Sequence, residues 1–215
     1  LDATTKAAVR GRLLSQSDLE VLADAGSVEV RLNTLGIHNV RNALAASAVA
    51  FAAGISLEKI KEGLEAFIPV NGRMQAKKID SNHTVIDDSY NANPDSVRAA
   101  IDALKQSGNI SWLVLGDMGE VGDQGPEFHR EVGAYAAEKG IEKLFATGEL
   151  TKEAVRAYDN YPNRSGKHFD DVATLCVDLQ NALQAVGQQS TAVLVKGSRF
   201  MKMERVVKTL IEEMH

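Results

Sequence analysis

The sequence is poor in cysteine, proline and aromatic residues, and it has no long apolar run. Its one cysteine, Cys176, cannot form a disulfide within the chain, which fits a reducing compartment. The helical, apolar segment around Cys176 predicts that its thiol packs in the core. No stretch approaches the ~20 apolar residues that span a bilayer, and we find no signal-peptide pattern. We therefore expect a cytoplasmic protein that uses no membrane partner.

An excess of positive charge is also missing. Asp and Glu together number 29 against 24 Lys and Arg, so the net charge is −5, and neither sign forms a long block. This balance argues against a basic surface, and we expect no nucleic-acid partner. The length of 215 residues suits one large domain, or one domain together with part of another.

Two motifs that hold nucleotide phosphates are absent from the sequence. No Gly-x-x-x-x-Gly-Lys-Ser/Thr phosphate loop is present, because the closest string, residues 165–168, lacks both the hydroxyl residue and the upstream glycine. No Gly-x-Gly-x-x-Gly follows a predicted strand either. We therefore expect that this chain alone does not hold a triphosphate in the usual way. Because it starts at Leu1 rather than at Met, we also expect it to be a piece of a longer protein.

The first part of the chain reads as a hairpin followed by two helices. Alternating apolar residues predict the hairpin over residues 19–32, with its turn at 24–26. Apolar residues at helical spacing predict helices over 39–53 and 57–67, and Ser56 is the expected N-cap of the second helix. Proline and glycine then interrupt regular structure, which predicts a domain boundary at about residue 71.

The second part alternates short apolar strands with helices, and no internal repeat is visible. This order predicts βαβ units, an α/β fold with a parallel sheet covered on both faces. The predicted strands are 84–86, 112–115, 143–146 and 192–195, with an edge strand near 167–169. The predicted helices are about 95–106, 124–139, 150–158, 171–187 and 201–214.

Polar segments follow each of the four main strands. They comprise residues 87–94, 116–120, 147–148 and 196–199, and three of them contain glycine. In an open parallel sheet, ligands bind in the crevice beyond the carboxyl ends of the strands. We therefore expect these four segments to gather at one edge of the sheet and to form a binding site there.

The first of these segments carries two adjacent carboxylates and several asparagines. One ionised carboxylate at a strand end, such as Asp88, can accept two hydrogen bonds from a ribose diol. A metal held by Asp87 and Asp88 together is the less favoured alternative, because successive side chains of a strand point to opposite faces. Asn93, ahead of Pro94, either caps the following helix or contacts a ligand, and the sequence leaves both interpretations open.

The segment from Lys196 through Ser198 to Arg199 precedes a helix. Two cations, a hydroxyl and free backbone N–H groups at a helix start suit an anion such as a carboxylate, while a solvated turn is the alternative. Asn39 and Asn42, beside His38, are three residues apart and so share a helix face.

Carboxamides such as those of Asn39 and Asn42 can pair with an adenine edge, and helix capping by Asn39 is the alternative interpretation. His129 lies in a helix near the second polar segment. A structural role is favoured for His129, and the sequence does not decide it.

Several strings resemble those of the Mur ligase family. Residues 36–46 contain His-Asn-x-x-Asn-x-x-Ala-Ala, a signature of these ligases, and Asn71-Gly72-Arg73 resembles the Gly-Arg that opens their C-terminal domain. Residues 87–96 are similar to the branch that adds D-alanyl-D-alanine, whereas sister enzymes carry Asp-Tyr-Ala-His-Asn-Pro or Asp-Gly-Ala-His-Asn-Pro there. Residues 115–122 and 195–199 also resemble that branch.

The resemblance implies an ATP-dependent carbon–nitrogen ligase of peptidoglycan precursor and cell-wall synthesis. Residues 1–71 would then be the C-terminal remnant of a central ATP-binding domain, and 72–215 a Rossmann-like C-terminal domain. The implied substrates are UDP-N-acetylmuramoyl-tripeptide and D-alanyl-D-alanine, joined through an acyl phosphate by a monomer. ATP and Mg²⁺ are the implied cofactors, with the metal ligands and a carbamylated lysine outside this chain.

The resemblance also implies roles for eleven residues, none of them directly catalytic and none a metal ligand. The implied ATP contacts are His38, Asn39, Asn42, Arg73 and Asp88. The implied contacts to the dipeptide and the peptide acceptor are Tyr90, Asn91, Asn93, Lys196, Ser198 and Arg199.

Two alternatives to this function stay open. One is a sister Mur or folylpolyglutamate-type ligase, against which the Tyr90 to Asn93 string argues. The other is a ligand-binding module without catalysis. The expectation that the helical segment before residue 71 lacks a sheet of its own argues against such a module.

Overall fold

The chain forms two compact units. The structure, a computed structural model, describes residues 8–15, 17–34, 36–68, 70–107 and 109–213. The division between the units falls between Val70 and Asn71. The assignment of the first unit to a central ATP-binding domain stays a prediction.

The first unit contains a three-stranded antiparallel sheet in the order β1-β2-β3. Its strands are β1 (Val9–Leu13), β2 (Asp18–Ala23) and β3 (Gly26–Arg31). The hairpin predicted over residues 19–32 is confirmed as β2 and β3. The expectation that this segment lacks a sheet of its own is wrong, because β1 pairs with residues 19–23 of β2 and completes a three-stranded sheet. Gly11 interrupts the apolar alternation of β1, which is why the sequence pattern did not reveal this strand.

Two helices pack on this sheet, α1 (Ile37–Ala52) and α2 (Leu57–Ala66). The Ser56 side chain accepts a hydrogen bond from the backbone N–H of Lys59 at 3.4 Å, so the predicted N-cap of α2 is confirmed. Capping of α1 by Asn39 is wrong, because Gly36 occupies the N-cap position and Asn39 lies within the first turn. The core of this unit brings together buried residues of both layers, among them Leu19, Val21, Val30, Val40 and Ile60.

The second unit contains a six-stranded sheet in the order β4-β5-β9-β6-β7-β8. Its strands are β4 (Gln75–Lys78), β5 (His83–Asp88), β6 (Ile110–Gly116), β7 (Lys143–Thr147), β8 (Lys167–Phe169) and β9 (Thr191–Lys196). All neighbours pair in parallel except β4, which is antiparallel to β5. The predicted parallel strands, including the edge strand β8, are confirmed. Strand β4 was not predicted, because its sequence Gln-Ala-Lys-Lys carries no apolar alternation.

Five helices cover the sheet: α3 (Pro94–Gln106), α4 (Gly125–Glu138), α5 (Thr151–Asp159), α6 (Val172–Val186) and α7 (Glu204–Glu212). They confirm the predicted α/β alternation, with one correction at the last helix. Residues 199–201 form a short 3-10 turn, and Lys202 adopts a left-handed conformation with φ +51°, so α7 begins at Glu204 rather than at 201.

One face of the sheet packs against α6 and α7. Trp112, Phe145 and Val193 contribute from the strands, and Cys176 from α6. Cys176 is 5% exposed, which confirms its predicted core position. Burial raises the pKa of its thiol, so the side chain stays protonated and apolar in character.

Helices α4 and α5 approach each other so closely that only a glycine fits at one point. A Cβ added at Gly133 of α4 would lie 2.0 Å from the backbone oxygen of Ala154 in α5. Backbone atoms cannot rotate away as a flexible side chain can. The two helices would therefore have to separate to admit any side chain at Gly133.

We predict that Gly133→Ala destabilises the second unit by about 3 kcal/mol or more, at the upper end of typical overpacking costs. Urea unfolding followed by fluorescence of Trp112, the chain's single tryptophan, measures this. Gly63→Ala in α2 is the matched control, because no atom lies within 4 Å of its added Cβ. An unchanged Trp112 transition in Gly133→Ala would contradict the close helix contact.

Candidate functional site

The carboxyl ends of four neighbouring parallel strands, β5, β9, β6 and β7, lie along one edge of the second unit's sheet. Asp88 and Leu115 are the register partners of Lys196 on β5 and β6, so these three strands end at nearly the same level. We call the last residue of each of these strands, together with the segment that follows it, the rim, which comprises residues 88–93, 116–120, 147–151 and 196–199. The expectation that these segments gather at one edge is confirmed.

Asp117 ties the β6 segment of the rim to the start of α5. Its carboxylate accepts backbone N–H hydrogen bonds from Glu149, Leu150 and Thr151 at 2.9–3.0 Å. These are donors that a helix N-terminus leaves without intrahelical partners, and a negative charge is favoured there. A buried carboxylate at this position therefore fixes two rim segments against each other.

Gly148 makes room for this carboxylate. It has φ +124°, which side chains rarely tolerate, and a Cβ there would lie 2.4 Å from Asp117 Oδ1. The glycine after β7 is thus required both by its backbone conformation and by Asp117. Both residues lie in segments that the sequence predicted for the site, but their contact was not predicted. The only signal was that each directly follows a strand.

The side chain of His129 on α4 also holds the segment after β6. Its Nε2 accepts the backbone N–H of Met118 at 3.0 Å. Its Nδ1 therefore carries the proton and donates to the backbone oxygen of Gly125 at 2.6 Å. The side chain is fully buried, and burial lowers the pKa of the imidazole, so His129 is neutral near pH 7. This contact supports the structural role that the sequence favoured.

Ser198 joins three rim segments. Its Oγ accepts the backbone N–H of Gly119 from the β6 segment and donates to the backbone oxygen of Ala92 from the β5 segment at 3.2 Å. The backbone N–H of Ser198 donates to the backbone oxygen of Asp117 at 2.9 Å. Ser198 is 2% exposed, so its hydroxyl is engaged within the protein.

Lys196 is buried at the end of β9. Its ammonium group forms an ion pair with Asp88 Oδ2 and donates to the backbone oxygen of Asn91 at 2.9 Å. The solvated-turn interpretation is wrong for this residue, because its side chain is only 3% exposed. Asp88 Oδ1 accepts the backbone N–H of Met74 at 3.1 Å, so the same carboxylate also reaches the start of the second unit.

The turn at residues 71–74 packs against the β5 segment. The backbone N–H of Tyr90 donates to the backbone oxygen of Gly72 at 2.9 Å. Arg73 lies over the Tyr90 ring, with its guanidinium carbon 4.3 Å from the ring centroid. These contacts bring the predicted nucleotide residue Arg73 next to Asp88 and to the predicted substrate residue Tyr90.

Tyr90 and Arg199 also border a cleft of about 480 Å³ on the side of α7. Arg199 is exposed and pairs with Glu204 of α7 at 3.1 Å, and Asp87 also lines the cleft. The predicted substrate residues therefore divide between two places. Lys196 and Ser198 are buried within the rim, whereas Tyr90 and Arg199 face solvent.

Asn93 caps α3. Its side chain accepts the backbone N–H of Ser96 at 2.8 Å, and the Ser96 hydroxyl accepts the Asn93 N–H at 3.0 Å, which completes a capping box. The capping interpretation is thus confirmed, while ligand contact by Asn93 stays a prediction. Asn91 is exposed, and its side chain accepts the backbone N–H of Ala92 at 2.9 Å.

The remaining predicted nucleotide residues lie in the first unit. Asn39 and Asn42 are on α1, and the Asn39 amide donates to the hydroxyl of Thr34 at 2.9 Å. His38 is also on α1, but its side chain lies outside the described part of the structure.

The described parts of the chain are residues 8–15, 17–34, 36–68, 70–107 and 109–213. Within those ranges no three His, Cys, Asp or Glu side chains converge as metal ligands. No helix there is both long and apolar enough to cross a bilayer.

The buried neutral His129 generates a prediction for acid stability. Its folded-state pKa is below the unfolded value of about 6.5. As the pH falls below about 6.5, the unfolded chain takes up a proton on this histidine before the folded protein does. The contribution of neutral His129 to stability is therefore fully present above that pH and declines below it. We predict that His129→Gln, which keeps an acceptor for Met118 N–H, loses less stability than the wild type between pH 7.5 and 5.5.

Trp112 fluorescence in urea at both pH values measures this difference, which is at most about 1.4 kcal/mol per pH unit for one proton. Val177→Ala, which changes an exposed apolar side chain of α6 and leaves His129 intact, is the control and should keep the wild-type loss. Equal losses in His129→Gln and the wild type would contradict a neutral His129.

A family model, curated relatives and solved structures all assign this chain to one family. Residues 72–199 match the family described as Mur ligase, glutamate ligase domain. The UDP-N-acetylmuramoyl-tripeptide–D-alanyl-D-alanine ligases of Escherichia coli K12 and Buchnera aphidicola (Acyrthosiphon pisum) are each 38% identical to this chain, over 87% of it and 40% of their own length. This chain therefore spans about 40% of the length of these curated relatives.

Solved structures agree with this result. The crystal structure II of MurF from Acinetobacter baumannii superposes with a TM-score of 0.86 at 38% identity, over 96% of this chain and 46% of that one. MurF of Thermotoga maritima in complex with ADP has a TM-score of 0.77 at 21% identity, which shows the shared fold. The family match covers more than half of the sequence, and the chain belongs to the Mur ligase family.

Proposed function

We propose that this chain acts within an ATP-dependent ligase that joins D-alanyl-D-alanine to UDP-N-acetylmuramoyl-tripeptide. The relatives that bear this activity in their names are 38% identical to it. The observation that carries the proposal is the rim, where Lys196 and Ser198 connect the segments after β5, β6 and β9. That edge is where an open parallel sheet binds its ligands.

The nucleotide side of this site would consist of Arg73 and Asp88. Asp88 is an acceptor held by Met74 N–H and Lys196, so its orientation is set before a ribose diol arrives. Arg73 is exposed beside it and carries a charge that suits phosphate oxygens. Asn39 and Asn42 of the first unit are the proposed adenine contacts, and His38 is a further proposed nucleotide contact.

The acceptor side would use the rest of the rim. Arg199 is exposed and can receive a carboxylate, and Tyr90 and Asn91 are exposed on the β5 segment. Ser198 and Asn93 would act by holding the segments in place, since the Ser198 hydroxyl and the Asn93 side-chain oxygen are bonded within the protein.

The proposed chemistry is acyl activation. The tripeptide carboxylate attacks the terminal phosphorus of ATP and releases ADP. The dipeptide amine then attacks the acyl carbon and loses a proton, and the tetrahedral intermediate expels phosphate. Magnesium would neutralise the phosphate charge when bound, and no described cluster of this chain is a ligand set for it.

The contribution of this chain is positioning and the exclusion of water. Holding two reactants in a reactive geometry accounts for about 7–11 kcal/mol of a barrier in favourable cases. A closed site also protects an acyl phosphate from hydrolysis. The rigid connections among the rim segments suit that task, because a loosely held loop would not define the position of a dipeptide.

A sister ligase is the nearest competing function. Assay of the intact ligase with D-alanyl-D-alanine against meso-diaminopimelate separates the two activities. Product formation with the dipeptide alone supports the proposal, and preferential use of the diamino acid refutes it. Binding of nucleotide and dipeptide without any product would point to a ligand-binding module.

We predict that Asp88→Ala in the intact ligase weakens ATP binding about 10- to 100-fold, with each ligand measured in the absence of the other. Hydrogen bonds to a charged group contribute about 1.5–3 kcal/mol, and 1.4 kcal/mol is a tenfold change. Dipeptide binding should weaken less than ATP binding, because Asp88 reaches the acceptor side only through Lys196. Asp178→Ala is the control, because Asp178 also pairs with a lysine, Lys167, at 2.9 Å but lies away from the rim. A larger effect on the dipeptide would reverse the assignment of Asp88.

We also predict that the chain of residues 1–215, purified alone, neither hydrolyses ATP nor ligates the dipeptide, because its sequence contains no phosphate loop. Phosphate release and product formation are the measurements, with the intact ligase as the positive control. Turnover by the purified chain above the protein-free blank would contradict this prediction.

A further inference from the structure

Lys196 contacts both halves of the proposed site at once. Its ammonium group pairs with the carboxylate of Asp88, the proposed ribose contact. It also donates to the backbone oxygen of Asn91, which begins the proposed acceptor side. Both partners belong to the segment after β5, whereas Lys196 belongs to β9.

The burial of this lysine excludes a simple role as a surface cation. At 3% exposure, the ammonium group relies on Asp88 and Asn91 for the hydrogen bonds that water would otherwise provide. Breaking a buried ion pair by removing one partner leaves a costly unpaired charge. The position of Asp88 and the position of the Asn91 carbonyl are therefore linked through one nitrogen atom.

A second connection to the same backbone lies just beyond the end of β9. Two residues beyond Lys196, the Ser198 hydroxyl bonds to Ala92 and Gly119. A shift of Lys196 would be transmitted to the Asn91–Ala92 backbone both directly and through Ser198. The rim thus contains a short, continuous path from the nucleotide side to the acceptor side.

We propose that Lys196 is a positioning residue that couples nucleotide binding to dipeptide binding, an inference that rests on the proposed ligase function. A ribose hydroxyl that bonds Asp88 shares the carboxylate with Lys196 and redistributes its bonding toward the Asn91 carbonyl. That redistribution fixes the Asn91–Asn93 segment in the conformation that receives the dipeptide. Coupling of this kind is reciprocal, so the dipeptide strengthens nucleotide binding by the same factor.

The experiment measures the dissociation constant of D-alanyl-D-alanine for the intact ligase, saturated with UDP-N-acetylmuramoyl-tripeptide, with and without a non-hydrolysable ATP analogue. In the wild type we expect the analogue to tighten dipeptide binding at least about fivefold, the lower end of typical couplings. In Lys196→Met, which keeps the length of the side chain and removes its charge, the factor should fall to about twofold or less.

Lys105→Met is the matched control. Lys105 also bonds one carboxylate, Glu142 at 3.2 Å, and one backbone oxygen, Gly140 at 3.0 Å, but it lies at the opposite end of β7 from the rim. Its coupling factor should equal that of the wild type. If Lys196→Met does not fold, Lys196→Gln serves in its place, because it retains an N–H donor and should give an intermediate factor.

The possible results separate this inference from the proposed function. A wild-type coupling factor near one, or full wild-type coupling in Lys196→Met or Lys196→Gln, overturns the role of Lys196 while the ligase assignment stands. Failure of the wild type to bind the dipeptide under either condition overturns the proposed function itself. Loss of coupling in Lys196→Met with retention in Lys105→Met supports the inference.

Discussion

The position of β9 between β5 and β6 is the constraint on which the candidate site depends. The last strand of the chain pairs in parallel with both neighbours, and Lys196 stands level with Asp88 on one side and Leu115 on the other. A side chain at the end of β9 can therefore reach the segments after both neighbours without an extended loop. Lys196 bonds the β5 segment in this way, and Ser198 bonds both. Among the strands in the described part of the chain, β9 alone pairs with both β5 and β6.

The rim segments are held by side-chain acceptors placed where the strand hydrogen bonds end. Backbone N–H groups that leave a sheet or start a helix must find partners when they are buried. Asp117 serves three of them at the start of α5, His129 serves Met118, and Ser198 serves Gly119. The main role of these polar residues at the strand ends is therefore structural, because they fix the rim segments in place. The ligand-facing groups of the proposal, such as Tyr90 and Arg199, are exposed side chains carried on those segments.

The sequence predicted the order of parallel strands and helices because the predicted cores of β5, β6, β7 and β9 are short, mainly apolar runs buried on both faces. It did not reveal β4, because an edge strand with one neighbour needs little apolar surface, and Gln-Ala-Lys-Lys has almost none. The site was predicted as a set of segments but not as a set of contacts. Whether Lys196 is free or paired depends on strand order, which periodicity does not encode. The contact of Asp117 with residues 149–151 likewise follows from the adjacency of β6 and β7.

The two adjacent aspartates at the end of β5 have different roles, which the sequence alone does not distinguish. The alternation of side chains along the strand separates them. Asp87 pairs with Lys77 at 2.8 Å and borders the cleft beside α7, whereas Asp88 pairs with Lys196 among the rim segments. Both are buried and both hold a lysine, so neither burial nor pairing distinguishes them. What differs is the face of the sheet, because consecutive side chains point to opposite sides. One carboxylate therefore stabilises the pairing of β4 with β5. The other lies where three strand ends meet, and the proposed function therefore assigns to Asp88, rather than to Asp87, the contact between the nucleotide and the rest of the rim.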